Sequence, residues 1–313
     1  MLQWIKKTAR LVFNASAVQL QEDLHVTMNA KVSSLRYEAR RNQLIGSILH
    51  ETESGVTPDR YTDHDIIVSI TSYGKRIHEV ALTIESIMQQ TMKPNRIVLW
   101  LDDSYNGRPL PLSLSLQQRR GLEIAFCPDI RSYTKLIPQL RQTPKDAIIT
   151  VDDDALYDYD VLEHLIQSHR EEPHIIHCCR VHRIKLDATG NILPYAQWDA
   201  RCEETGINPL FFLTGVGGVL YPPDSLDPDV FDQKTFLALC PDADDIWFTA
   251  MAIKKGTPLN KVYTRNPHGE DYLDNHLTGA DRLSFKNVTQ KGNDIQFRAV
   301  FSKYSLYDKL TDQ

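Results

Sequence analysis

The chain has 313 residues, 42% hydrophobic and 24% charged, an ordinary globular composition that argues against long disorder and suits one large domain with an appendage or two modest ones. Its net charge of -6 argues against non-specific nucleic-acid binding through an overall basic surface. The five cysteines (Cys127, Cys178, Cys179, Cys202 and Cys240) show neither CxxC spacing nor a paired pattern. That speaks against a disulfide framework or a zinc knuckle and fits a reducing, cytoplasmic setting.

No apolar run reaches the roughly 18–20 residues that cross a bilayer. Lys6, Lys7 and Arg10 interrupt the N-terminus before a signal-peptide core could form. Residues 1–13 put Leu2, Ile5, Ala9, Val12 and Phe13 near one helical face. Such a helix can lie on an anionic membrane or pack on its own domain. From Val18 to Leu49 apolar residues recur every three or four positions (Leu20, Leu24, Met28, Val32, Leu35, Ala39, Ile45, Leu49), which predicts one long helix or two shorter ones, with heptad-like spacing suited to oligomerisation. Glu51 to His64 is polar, contains Gly55 and Pro58, and reads as a linker. Residues 1–60 are therefore expected to form an N-terminal helical extension, and residues 61–313 the main domain.

After the linker the pattern changes to α/β. Asp65–Thr71 is a strand, Ser72–Arg76 a turn with a helix start, and Ile77–Gln90 an amphipathic helix. Arg96–Leu101 is a second buried strand ending in Asp102-Asp103. This βαβ unit makes the two strands parallel neighbours. A helix over Leu114–Gly121, a strand over Leu122–Phe126 and a helix starting at Thr134 continue the alternation, which predicts a mostly parallel sheet. No GxGxxG follows the first strand, and no Walker A loop occurs.

Ala147–Val151 is apolar and β-branched, and it ends in Asp152, Asp153 and Asp154. Three carboxylates at a buried strand end need neutralising, because unpaired buried charge is costly. Hard oxygen ligands suit Mg²⁺ or Mn²⁺, and the C-terminal edge of a parallel sheet is where open α/β folds bind ligands. An acidic turn or helix cap is the plainer explanation. Beyond it come a helix over Val161–Arg170, a strand over Ile175–Cys179, a polar stretch over 183–209, and the glycine-rich run Leu213–Pro223. A second acidic cluster, Asp242 to Asp245, opens a helix over Ile246–Lys254, and Asn266–Asp271 offers a last candidate with His268.

Four of these stretches, in order, resemble the GT-A glycosyltransferases that use nucleotide-sugar donors: Tyr133–Pro138, Ile148–Asp154, Gly217–Pro222 and Ala243–Trp247. More narrowly they resemble bacterial family-two-like glycosyltransferases of capsule and lipopolysaccharide synthesis. The resemblance covers about residues 65–301 and leaves out the N-terminal helical part. It implies a GT-A α/β fold and a divalent cation, Mn²⁺ or Mg²⁺. It implies a nucleotide-sugar donor, with a UDP-sugar the first choice, and a glycan or lipid-linked glycan acceptor. It also implies no nucleic-acid partner and a cytoplasmic location, on the inner face of the plasma membrane if the N-terminal helices touch lipid.

By position, Thr71, Ser72 and Tyr73 would lie against base and ribose, and Asp102 or Asp103 would accept hydrogen bonds from the base. Lys135 would sit near the donor phosphates or sugar. Asp152 and Asp154 form the Asp-x-Asp pair, with Asp153 between them; Asp154 would be the direct metal ligand and Asp152 the one nearer ribose or metal waters. A histidine completes the metal site in related enzymes, and His268 is the first choice, with His276 behind it. Gly217 and Gly218 would border donor sugar and acceptor. Asp244-Asp245 stands in place of the family's Glu-Asp pair, and Asp245 is the expected base. A single displacement assisted by such a base inverts the anomeric centre.

Three other readings compete. Thr150–Asp154 with Asp244-Asp245 also suits a phosphohydrolase of haloacid-dehalogenase type, whose nucleophile strand normally opens the domain. A sugar nucleotidyltransferase would want a basic first loop richer in glycine than Ser72–Arg76. An inactive sugar-nucleotide-binding scaffold would not need two intact acidic clusters.

Overall fold

The computed structural model describes residues 2–265, 272–274 and 292–310. In chain order the elements are α1 (Leu2–His50), β1 (Ile66–Thr71), α2 (Val80–Met88), β2 (Arg96–Asp102), α3 (Leu112–Gln118), β3 (Leu122–Cys127), α4 (Ile137–Gln142), β4 (Ala147–Thr150) and β5 (Ala155–Tyr157). There follow α5 (Val161–Glu171), β6 (Ile176–Cys178), β7 (Val181–Arg183), β8 (Gly206–Ile207), β9 (Phe211–Leu213), β10 (Val219–Tyr221), α6 (Gln233–Leu239), α7 (Asp244–Lys255), β11 (Leu259–Lys261), β12 (Tyr272–Asp274) and α8 (Gly292–Tyr304).

The expected α/β class holds. An eight-stranded sheet runs β3-β2-β1-β4-β10-β6-β11-β8. β3, β2, β1 and β4 are mutually parallel, and β11 is parallel to β6. β10 inserts antiparallel between β4 and β6, with Val219 opposite both Thr150 and Cys178. Because β10 runs backwards, the turn that precedes it lies at the same sheet edge as the C-terminal ends of β1, β2 and β4. That edge gathers the chemistry.

Period-two alternation sends successive residues to opposite faces. Ile149 and Leu220 join Val68, Leu99 and Ile84 under α2, α3 and α5. Ile148, Val219 and Tyr221 join Tyr133, Trp247, Phe248 and Phe301 under α4, α7 and α8. The sheet is thereby buried on both faces, which is why β1 and β4 read as unbroken apolar runs.

α1 is one continuous helix of 49 residues. Its last turns belong to the core, where Tyr37, Leu44 and Ile48 are buried with the residues of α2. Leu24, Met28, Val32 and Leu35 are exposed. The segment expected to be a linker is instead a packed loop. Gly55 N–H donates to the Arg120 carbonyl at 2.8 Å, and a Cβ at Gly55 would lie 2.3 Å from Met88 Cγ. All five cysteines are free thiols. No helix among the described residues is long and apolar enough to cross a membrane.

Candidate active site

A cavity of about 960 Å³ opens at the sheet edge formed by the ends of β1, β2 and β4. Thr71, Ser72, Tyr73, Asp102, Lys135, Asp152, Asp153, Asp154, Asp244 and Asp245 all line it. Residues scattered over more than 170 positions of sequence thus share one wall, as the switch-point rule for open α/β sheets leads one to expect.

Two cations of the chain itself, Lys135 and Arg76, pair with the acidic strand end. Lys135 Nζ lies 2.9 Å from Asp152 Oδ1 and 3.0 Å from Asp244 Oδ2, the latter an ion pair outside hydrogen-bond geometry. Arg76 Nη1 lies 2.8 Å from Asp153 Oδ1 and 3.4 Å from Asp154 Oδ2. Two cations thus face the three strand-end carboxylates, and Lys135 is shared with Asp244, so the chain itself offsets only part of this negative charge. Burial works against the Lys135 charge, but Asp152, Asp244 and Asp245 outweigh it and hold the ammonium well above the ordinary lysine range.

The three aspartates have different surroundings. Asp153 points inward: it is buried, Ser72 Oγ donates to it at 2.6 Å and Arg76 pairs with it. Burial raises its pKa, against the opposing effect of Arg76 and Ser72. Asp152 and Asp154 retain side-chain exposure of 29% and 36% and face the cavity. Tyr157 fixes the backbone between them and the glycine turn. Its hydroxyl accepts from Asp152 N–H at 3.0 Å and donates to the Val216 carbonyl at 2.9 Å.

α7 begins at Asp244-Asp245, and acidic residues in a first helical turn are favoured by the helix dipole. The helix ends at Gly256, whose φ of 88° completes a left-handed C-cap. Asp245 Oδ1 accepts from Gly215 N–H at 3.1 Å. Part of Asp245 is open to the cavity, yet burial and the neighbouring Asp244 push its pKa up to about 7, with Lys135 opposing them. A carboxyl in that range is placed to hold or release a proton near neutral pH.

Near the ends of β1 and β2, Thr71 Oγ1 donates to the Trp100 carbonyl at 3.0 Å, and Tyr73 is exposed with Arg76 over its ring at 5.7 Å. Asp102 accepts from Ser104 N–H at 2.9 Å, and hydrogen bonds from Ser104 hold its carboxyl below the usual range. Asp103 is exposed and does not line the cavity.

Gly217 and Gly218, expected to border donor sugar and acceptor, do not line the cavity either. Gly217 is pressed against Arg180, whose Cβ would lie 2.5 Å from a Cβ at 217, and Gly218 adopts a φ of 96° facing Leu165 and Val161. Gly215 does not line the cavity itself, but it packs against the charged groups: a Cβ there would meet Lys135 Nζ at 2.6 Å and Asp245 Oδ1 at 3.1 Å. The sequence signal for it was present in the three closely spaced glycines, but only the fold tells which one faces the carboxylates. His268 and His276 lie outside the described residues. Among the described residues no three His, Cys, Asp or Glu side chains gather into a ready metal cage.

No family profile matches the chain, and no curated protein does. Among solved structures it is similar to a CMP:2-keto-3-deoxy-manno-octonic acid synthetase complexed with CTP, at 14% identity and a TM-score of 0.34, over 63% of this chain and 88% of that one. It is also similar to S. aureus TarS 1–349, at 14% identity and a TM-score of 0.42, over 64% of this chain and 58% of that one. Likenesses this distant carry no argument about activity.

Proposed function

We propose that the chain is a GT-A glycosyltransferase that moves a sugar from a nucleoside-diphosphate donor, a UDP-sugar first, to a hydroxyl of a growing surface glycan with inversion. What carries this reading is one observation: Lys135, Asp152, Asp154, Asp244 and Asp245 converge in a single cavity at the C-terminal edge of a mostly parallel sheet.

Thr71, Tyr73 and Asp102 line the end of the cavity suited to base and ribose. Lys135 and Arg76 are fixed cations that oppose the charge of a diphosphate, and their positions are set before substrate arrives. Asp154 and Asp152 fit a divalent cation, because Mg²⁺ or Mn²⁺ is commonly held by one or two carboxylates together with substrate phosphates and water. Such an ion, when bound, supplies Lewis-acid stabilisation of the departing diphosphate. Asp245 takes the proton of the acceptor hydroxyl as the new C–O bond forms and the bond to the diphosphate breaks. Gly215 N–H keeps one of its oxygens fixed and leaves the other for that proton.

Calorimetric titration with UDP, with and without Mn²⁺ and on Asp154→Ala, tests the reading. Metal-dependent binding lost in the variant supports it. Failure of UDP, GDP, CDP and TDP alike would sink it. Phosphate release from a model ester without sugar transfer would favour the phosphohydrolase.

A further inference from the structure

Five basic side chains line the cavity: Arg76, Arg131, Lys135, Arg180 and Arg201. Three are committed to carboxylates, Arg76 to Asp153 and Asp154, Lys135 to Asp152 and Asp244, and Arg131 to Asp242 at 3.0 Å. Arg180 is different. Its side chain makes no ion pair and no hydrogen bond among the described residues, and its Nε is buried without a partner. A buried donor left without a partner is costly, and a ligand oxygen reaching Nε would remove that cost.

The backbone holds Arg180 firmly where it is. It sits in the short link between β6 and β7, and its carbonyl accepts from Thr214 N–H at 3.3 Å and Thr214 Oγ1 at 3.1 Å. Gly217 packs directly on its Cβ, which explains why that turn position is a glycine. Thr214 precedes Gly215, the residue whose N–H binds Asp245. Arg180 is thereby anchored to the turn that holds the candidate base.

Arg201 is a second cation near Arg180, and Asp245 is the nearby carboxylate. His182 Nδ1 accepts from Arg201 N–H at 3.0 Å, so the ring proton is on Nε2. Burial, then Arg180 and Arg201, push the His182 pKa down to about 3, so its ring is neutral. The phenol of Tyr195 stands within the influence of both Asp245 and Arg180, with burial the largest effect in raising its pKa. Tyr195, Trp198 and Phe212 form an aromatic wall beside them, with the Tyr195 and Trp198 rings 4.8 Å apart.

We propose that Arg180 forms an acceptor subsite for an oxyanion, a phosphate or a carboxylate borne by the glycan, next to the Asp245 base. The planar guanidinium matches both groups in a forked, two-bond geometry, and the aromatic wall offers a face for the sugar ring. The proposal rests on the transferase reading and specifies its acceptor: a glycan with either uronic acid or phosphodiester groups.

The test uses the full chain saturated with whichever nucleoside diphosphate binds it, and saturation-transfer NMR titrations with glucose 6-phosphate, glucuronate and glucose. An anionic sugar is expected to bind at least tenfold more tightly than glucose. Arg180→Ala should weaken that binding at least tenfold, Arg180→Lys less, with nucleotide affinity as in the parent. The better of the two anions identifies phosphate or carboxylate as the source. Should Arg180→Ala not fold, Arg180→Gln, which keeps the stem and removes the charge, is read in its place. The proposal fails if nucleotide binds but the anions bind no better than glucose, or if the variant retains their affinity. It fails as well if the variant loses nucleotide and anion equally, since the guanidinium then belongs to the donor diphosphate. Absence of any nucleotide binding by the parent overturns the transferase reading and this subsite with it.

Discussion

Lys135 Nζ stands 2.9 Å from Asp152 Oδ1, joining the turn before α4 to the end of β4 across 17 positions of sequence. The same ammonium reaches Asp244 at 3.0 Å and so ties the start of α7 to that strand end. Lys135→Met would leave two carboxylates facing each other without their cation. We expect a loss of about 3–5 kcal/mol in urea unfolding, the usual cost of breaking a buried pair from one side. Asp244→Asn added to it should recover part of the loss.

Asp245 gives a pH signature. With its pKa at about 7, the base is protonated below that value and transfer should rise with pH through about 7, then level off. Asp245→Asn should lower the rate by about 10²-fold or more and remove the inflection. The stability effect has the opposite dependence. The folded state binds this proton more tightly than the unfolded chain, so the parent loses stability as pH rises from the ordinary carboxylate range towards 7. Relative to the parent, Asp245→Asn should therefore gain melting temperature progressively from pH 4 to pH 7, with no further gain above it.

Asp153 and Asp154 are neighbours in sequence with different expected phenotypes. Asp153 is buried against Ser72 and Arg76. Asp153→Asn should cost about 1–3 kcal/mol of stability while folded protein keeps its nucleotide affinity. Asp154→Asn should leave stability nearly unchanged and weaken metal-dependent nucleotide binding by about tenfold or more, equivalent to about 1.4 kcal/mol. Calorimetry on the two variants separates them.

Far from the cavity, Glu85 is fully buried and pairs with Arg120 at 2.8 Å, with Gln117 Nε2 adding a hydrogen bond at 3.1 Å. Arg120→Met should lower stability by about 3–5 kcal/mol by stranding that carboxylate. Turnover per folded molecule should not change, because neither residue reaches the cavity.

The middle and the C-terminal part of α1 should also respond differently. Leu44 is fully buried against the α2 side of the sheet, whereas Leu24 is 59% exposed. Leu44→Ala is expected to cost about 2–5 kcal/mol and Leu24→Ala less than about 0.5 kcal/mol, read from chemical denaturation.

The strand and helix alternation from Ile66 to Glu171 was legible in sequence because it is written locally, in β-branched runs and three-to-four spacing. The acidic ends of β2 and β4 were equally legible, since a polar residue closing a buried strand marks the sheet edge. The glycine turn was less so. Three glycines within four positions announced a close approach, but the one facing Lys135 is Gly215, while Gly217 and Gly218 serve Arg180 and α5. The loop around Gly55 reads as a linker in sequence because its partners, Met88 and Arg120, lie far along the chain.

The sequence by itself determined the α/β class, the parallel half of the sheet and the identity of the carboxylates at its edge. Only the tertiary structure decided which donor meets which carboxylate: the Arg76 guanidinium finds Asp153 across 77 positions, and the Gly215 N–H finds Asp245 across 30. The reason is physical. Secondary structure follows from interactions over a few residues, whereas Coulomb attraction carries no sequence address, and a negative strand end accepts any cation the packing delivers. The antiparallel insertion of β10 brings the Gly215 turn to the edge that β1, β2 and β4 had already defined, and so sets the partners of Asp245 and the place of Arg180.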